Sequence, residues 1–276
     1  MLTTIRGSRI DFEWREPQHP VAGRPVIVFL HEGLGSLAMW KDFPQAVADA
    51  TGCRALVYSR AGYGHSEPRR GPRSVRYMHT EALETLPALL DVLHIDNPVL
   101  LGHSDGGSIA LIFAGGTGRP LVGVIVMAPH VLVEPLSVSS IAAARETFLT
   151  TDLREKLRRY HDDPESVFWG WNDIWLDPAF RSWDIQEYLL RIDCPVLAIQ
   201  GEDDEYGTME QIRLIGRYVP RAQLLELSHC GHSAHRDQPV AVTAAVVGFI
   251  DSLSAERPPV NSASNGPGLP SSKPCP

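Results

Sequence analysis

The sequence predicts an α/β protein: a mostly parallel sheet covered by helices on both faces, opened by an antiparallel hairpin and interrupted by a helical insertion. Three observations carry this. Continuous apolar runs alternate with amphipathic stretches from residue 25 to 128 and again from 195 to 253; strands buried on both faces read in this way, whereas half-exposed ones alternate. The turn Gly102-His103-Ser104-Asp105-Gly106 stands between one such run and a helix-like stretch. Between 129 and 192 the alternation stops and charged helical stretches and aromatic residues take over.

Taken in order, residues 2 to 14 alternate around Gly7 as a hairpin with Ile5, Ile10 and Phe12 inward. Pro25 to Leu30 is a buried strand ending at His31-Glu32-Gly33-Leu34-Gly35. Helical spacing over Trp40 to Thr51 precedes the strand Arg54 to Tyr58 and a glycine-rich loop, Ser59 to Ser66. That loop lacks the Lys-Ser/Thr of a phosphate-binding loop and reads as a structural neighbour of the site. Residues 76 to 94 present Leu83, Leu86, Leu90 and Leu93 on one helical face, with Pro87 predicted to kink it or open a second turn. Pro98 to Leu101 is a strand, Ser108 to Ala114 a helix and Leu121 to Met127 a further strand.

The core is thus expected over 1–128 and 193–254, with a helical cap over 129–192. The cap holds the helical stretch Asp152 to Tyr160 and four of the six tryptophans. Most of these pack cap on core; Trp169, Trp171 and Trp175 are the candidates for a substrate pocket. The rhythm resumes with Pro195 to Ile199, a helix from about Thr208 to Val219, the strand Gln223 to Leu227 and a closing helix, Pro239 to Leu253. Residues 255–276 are rich in proline, serine, glycine and asparagine and are expected to be a disordered tail.

The 276 residues are 43% hydrophobic and carry a formal charge of −8. An acidic balance argues against nucleic-acid or anionic-membrane partners, which need a basic face. The four cysteines share no metal-ligand spacing, so they read as free thiols in a reducing compartment, and neither metal nor cofactor is expected. No signal-peptide pattern opens the chain, which points to the cytoplasm. A small molecule is the expected partner, and a homo-oligomer is left open.

A serine hydroxyl is a weak nucleophile, so the turn at Ser104 calls for a histidine base and an acid to orient it, in the chain order serine, acid, histidine. The acid falls in Gly201-Glu202-Asp203-Asp204-Glu205, directly after a buried strand, with Asp204 chosen over Asp203, Glu202 and Glu205. The base falls in Ser228 to His235, where His232 follows a glycine and precedes the closing helix. His229 and His235 are expected to make rim contacts or solvent-facing hydrogen bonds. Backbone N–H groups of Asp105 and of Gly33 or Leu34 would stabilise an oxyanion. The Asp105 carboxylate has two readings: it pairs with an ammonium group in the pocket, or it meets the positive end of a helix dipole.

With these segments in place, the chain resembles the α/β-hydrolase superfamily, in its capped serine-hydrolase members such as esterases, enol-lactonases and C–C bond hydrolases. The resemblance covers about residues 3 to 253. It rests on His31 to Gly35, Arg60 to Ser66, Gly102 to Gly107, Gly201 to Asp204, and Gly231-His232 with Asp237-Gln238-Pro239 beyond. It implies the α/β-hydrolase fold and cofactor-free cleavage of an ester, thioester, lactone, amide or C–C bond. It also supports Asp204, three places after its glycine, and His232. Two departures stand out: Glu32 occupies a place where many members have glycine, and Ser59 one where many have aspartate. The expected activity is hydrolysis of a small carboxylic ester or related acyl bond. The alternatives are a C–C hydrolase with the same residues and, from another class, a non-catalytic ligand receptor.

Overall fold

The computed structural model describes residues 1–69 and 71–255. Eight strands form one sheet: β1 (Leu2–Ile5), β2 (Ser8–Arg15), β3 (Ile27–Leu30), β4 (Ala55–Tyr58), β5 (Val99–His103), β6 (Gly123–Met127), β7 (Val196–Gly201) and β8 (Ala222–Leu227). Their spatial order is β1-β2-β4-β3-β5-β6-β7-β8. The hairpin β1–β2 and the β2–β4 pair are antiparallel; every pairing from β4 to β8 is parallel. Ile5, Ile10 and Phe12 of the hairpin are buried as expected.

Side-chain alternation along each strand sorts the core into two layers, because successive residues point to opposite faces. Val28, Leu30, Leu56, Leu100, Val124, Val126 and Val196 belong to one layer. Ile27, Phe29, Val57, Val99, Leu101, Ile125, Met127 and Leu197 belong to the other. Each fully buried side chain of this size contributes about 1.5–3 kcal/mol relative to exposure. That is why both faces must be covered.

The second layer is closed by α1 (Phe43–Thr51) and α11 (Pro239–Ala255), which supply Phe43, Val47, Val242, Val246 and Phe249. The first is closed by α2 (Tyr77–Thr80), α3 (Leu86–Val92), α4 (Asp105–Gly116), the helical segment between β6 and β7, and α9 (Glu210–Tyr218). That segment contains α5 (Pro135–Thr150), α6 (Leu153–Arg158), α7 (Pro164–Leu176) and α8 (Gln186–Leu189). A single turn, α10 (Ala234–Asp237), precedes α11.

Two elements differ from expectation in instructive ways. The helix predicted from Trp40 begins at Phe43: Leu37–Trp40 is a 3₁₀ turn, and Lys41 at φ 52° breaks the chain before α1. The kink expected at Pro87 is a π-helical turn, Glu81–Thr85, joining α2 to α3. Proline lacks an N–H, and the wider turn adjusts the helix just ahead of it. At the far end, Ala255 closes α11; the rest of the expected tail, 256–276, lies outside the described residues.

Candidate active site

The site lies at the carboxyl ends of the parallel strands, where open α/β sheets bind their ligands. The turn after β3 carries Glu32, Gly33 and Leu34, the turn after β5 carries Ser104, and the segment after β6 carries His130. The loops after β7 and β8 carry Asp204 and His232. All of these except Asp204 line one cavity of about 120 Å³, together with Ile141, Trp171, Trp175 and Tyr206. A larger hollow of about 700 Å³, near Asn97, Arg119 and Cys194, sits at the opposite, amino-terminal ends of β6 and β7 and has no part in this chemistry.

Ser104 joins β5 to α4 with φ 54° and ψ −119°, a backbone conformation that non-glycine residues rarely adopt. The flanking glycines make it accessible. A Cβ on Gly102 would overlap the backbone of Gly106, and one on Gly106 would overlap the Leu30 carbonyl. The strain is balanced by fixed backbone bonds: Ser104 N–H donates to the Met127 carbonyl at 2.9 Å, and Ser108 N–H to the Ser104 carbonyl at 3.0 Å. Asp105 is the first residue of α4, so its N–H has no acceptor within the helix.

Asp204 and His232 meet directly: His232 Nδ1 lies 2.9 and 3.0 Å from the two carboxylate oxygens. Asp204 also accepts from the Tyr206 N–H at 2.8 Å and from Gln200 Nε2 at 2.7 Å. Burial alone would raise the Asp204 pKa, but the His232 hydrogen bond and charge hold it below the usual carboxylate value. The reverse balance acts on His232. Burial would lower its pKa, yet Asp204, with Glu205 and Glu32 beyond, keeps it above that of a free histidine. The loop carrying the ring is pinned by two further carboxylates, Asp237 accepting from Gly231 N–H and Glu205 from His232 N–H. Asp203, Glu202 and Glu205 are exposed.

The turn carrying Gly33 and Leu34 is clamped by Arg60, which is buried and donates to the carbonyls of His31 and Glu32. Arg60 N–H donates to His31 Nε2 at 3.1 Å, so His31 carries its proton on Nδ1 and donates to the Glu32 carbonyl. Burial, reinforced by Arg60, keeps His31 neutral. Trp171 closes over Gly33 so tightly that any Cβ there would strike its indole.

Glu32 fills the place where a glycine was the common expectation. Burial would raise its pKa, but His103 at 3.6 Å and Arg236 at 3.6 Å hold it well below the ordinary carboxylate range. An ionised acid therefore borders the cavity, and among the described residues no lysine or arginine lines it.

Three expectations need correction. Trp169 is not a pocket residue: its Nε1 donates to Glu165, and it borders a separate surface hollow with Arg69 and Asp177. The reason is helix phase, since Trp171 and Trp175 are four apart on one face of α7 while Trp169 lies more than half a turn away. The Asp105 carboxylate is also turned out of the cavity. It is fully buried and accepts from the Tyr77 hydroxyl at 2.6 Å, which in turn accepts from Trp175 Nε1 at 3.2 Å. His235, expected at the rim, is buried between Trp40 and Phe43 with ring centroids 5.1 and 5.2 Å away, and burial lowers its pKa to about 3. His229 is exposed.

The chain belongs to the alpha/beta hydrolase family, whose model matches residues 27–246. It is a hydrolase of that family, similar to several characterised ones. It is 27% identical to a 2-hydroxy-6-oxononadienedioate/2-hydroxy-6-oxononatrienedioate hydrolase of Cupriavidus pinatubonensis, over 83% of this chain and 88% of that one. It is 25% identical to an sn-1-specific diacylglycerol lipase of Mus musculus, covering 82% and 81%. The fold matches a thermophilic esterase from Thermogutta terrifontis with a TM-score of 0.70 at 22% identity, over 92% of this chain and 99% of that one.

Proposed function

We propose that the protein hydrolyses a small, uncharged carboxylic ester or a related acyl bond through an acyl-enzyme. Ser104 Oγ attacks the carbonyl carbon while His232 Nε2 takes its proton, and Asp204 holds the imidazole by Nδ1 and stabilises the imidazolium that forms. The oxyanion is met by the N–H groups of Asp105 and of Gly33 or Leu34. His232 returns the proton to the leaving oxygen, the acyl group stays on Ser104, and water cleaves it by the same proton route. The observation that carries this reading is the shared cavity: Ser104 and His232 both border it, and His232 is held from behind by Asp204 at 2.9 Å.

The cavity supports a small acyl group, since 120 Å³ is well below the 300–1,000 Å³ of sites for drug-sized ligands. Residues 129–192 act as a cap in this reading, supplying Ile141, Trp171 and Trp175 to the cavity roof. The acidic balance and the free thiols of Cys53, Cys194 and Cys230 support a cytoplasmic enzyme with a small-molecule substrate and no nucleic-acid or membrane partner. No helix among the described residues is long and apolar enough to cross a membrane. Covalent labelling by a fluorophosphonate, located by peptide mass spectrometry, is expected on Ser104 and absent in Ser104→Ala; labelling that persists in the variant overturns the assignment.

The similarity to the Cupriavidus hydrolase favours a second reading, cleavage of a C–C bond beside a ketone. Substrates with two carboxylates need a cation in the pocket, and this cavity offers the Glu32 carboxylate instead. The first reading therefore predicts that p-nitrophenyl butyrate is strongly preferred over p-nitrophenyl hemisuccinate. The opposite preference would favour the second.

A further inference from the structure

His130 borders the cavity, yet the proposed chemistry makes no use of it. It is 2% exposed. Its backbone is locked from both sides by one hydroxyl: Ser108 Oγ accepts from the His130 N–H at 3.0 Å and donates to its carbonyl at 2.7 Å. The ring stands edge-on to Trp175, centroids 4.7 Å apart, and 6.2 Å from the ring of His232. This is a rigid mounting for a polar side chain beside the apolar wall that Ile141, Trp171 and Trp175 give the cavity.

One ring nitrogen, Nδ1, is sealed from solvent without a hydrogen-bond partner. A sealed N–H costs more than a sealed bare acceptor, and orphaned buried N–H groups are the rarer of the two in proteins. The favoured tautomer therefore keeps Nδ1 bare and puts the proton on Nε2. Burial, with the charge of His232 added, lowers the pKa of His130 to about 3, so the ring is neutral wherever His232 can act as a base.

We infer that His130 is a substrate-recognition residue that donates its Nε2–H to a second, uncharged acceptor oxygen on the acyl group, such as an ether, keto or hydroxyl oxygen. The inference rests on the ester-hydrolase reading and narrows it. A carboxylate is the wrong occupant, because the ring is neutral and Glu32 shares the cavity. A purely aliphatic acyl group fills the same space but displaces water from the Nε2–H without replacing its hydrogen bond, which costs affinity.

The test uses an isosteric pair, p-nitrophenyl butyrate and p-nitrophenyl methoxyacetate, which differ by a methylene against an ether oxygen. The ratio of kcat/KM for methoxyacetate over butyrate, corrected for the hydroxide-catalysed rates, is expected to fall by about tenfold in His130→Phe and to recover in part in His130→Gln, which keeps a donor. Equal losses on both esters, with the ratio unchanged, would show a packing role and overturn the inference. A second arm needs no turnover: Ser104→Ala protein labelled with ¹⁵N-histidine is titrated with ethyl methoxyacetate and ethyl butyrate. A His130 proton on Nε2 that shifts only with the ether-bearing ester supports the assignment, whereas a proton on Nδ1 or an identical response to both ligands refutes it. If the intact enzyme hydrolyses neither ester, the ester-hydrolase reading fails while the titration still decides on His130.

Discussion

Glu32 Oε2 lies 3.6 Å from Nδ1 of His103, and Nε2 of the same ring lies 2.9 Å from the carbonyl of His232. Through one imidazole, the turn after β3 is tied to the loop bearing the proposed base. The tie has a pH signature. A carboxylate whose folded pKa is depressed adds stability above its unfolded pKa, about 4.3, and loses it as the pH falls through the folded value. Glu32 is such a group, so the gap in melting temperature between the wild type and Glu32→Gln is expected to be widest near neutrality and to narrow below about pH 4. Melting curves at stepped pH measure it, and a gap that stays constant to pH 3 would contradict the pairing.

His232 behaves with the opposite sign. Its folded pKa is raised, so its contribution to stability is complete below the unfolded value of about 6.5 and disappears as the pH rises through the folded value. Catalysis needs the neutral ring, which places the acid limb of kcat/KM above about pH 6.5. In Asp204→Asn the limb is expected to move to lower pH while kcat drops by about 10³–10⁴, as the ring loses both its charge partner and its tautomer control. A pH–rate profile of the two enzymes reads both effects.

Gly106→Ala should damage the fold as well as the site. The added methyl meets the Leu30 carbonyl, a backbone atom in the middle of the sheet that has no side-chain freedom to retreat. Overpacking against backbone is expected to cost about 3 kcal/mol or more, visible as a lower urea midpoint.

Asp105→Asn is expected to reduce kcat/KM about tenfold and equally for neutral and ammonium-bearing esters, because the carboxylate is buried outside the cavity lining and holds the Tyr77 hydroxyl through Oδ2. A selective loss on the cationic ester would restore the alternative that this carboxylate recognises an amine.

The strands were legible because burial on both faces leaves a plain mark: uninterrupted apolar runs with chemistry-bearing residues just beyond their ends. Ser104, Asp204 and His232 were legible from the strand ends, lying one, three and five residues past β5, β7 and β8. His130 carries that signal too, three residues after Met127, but a lone histidine without a motif around it was passed over. Gln200 was detectable as a polar residue directly after the apolar run Val196 to Ile199, and it holds the Asp204 carboxylate. Tyr206 had no such mark. Trp169 was misplaced because aromatic content was weighed without helix phase, and of the two readings of Asp105 the pocket one fails because position in sequence says which residue starts a helix but not where its carboxylate turns.

The contact of Arg236 with Glu32 and with the Met39 carbonyl joins the two ends of the chain across the site. During synthesis the segment bearing Ser104 leaves the ribosome well before the one bearing His232, by several seconds or more at ~5–20 residues per second. For that interval Ser104 has neither Asp204 nor His232 beside it. On the proposed reading, reactivity toward acyl groups is thus withheld until β8 and α11, which flank His232, have docked.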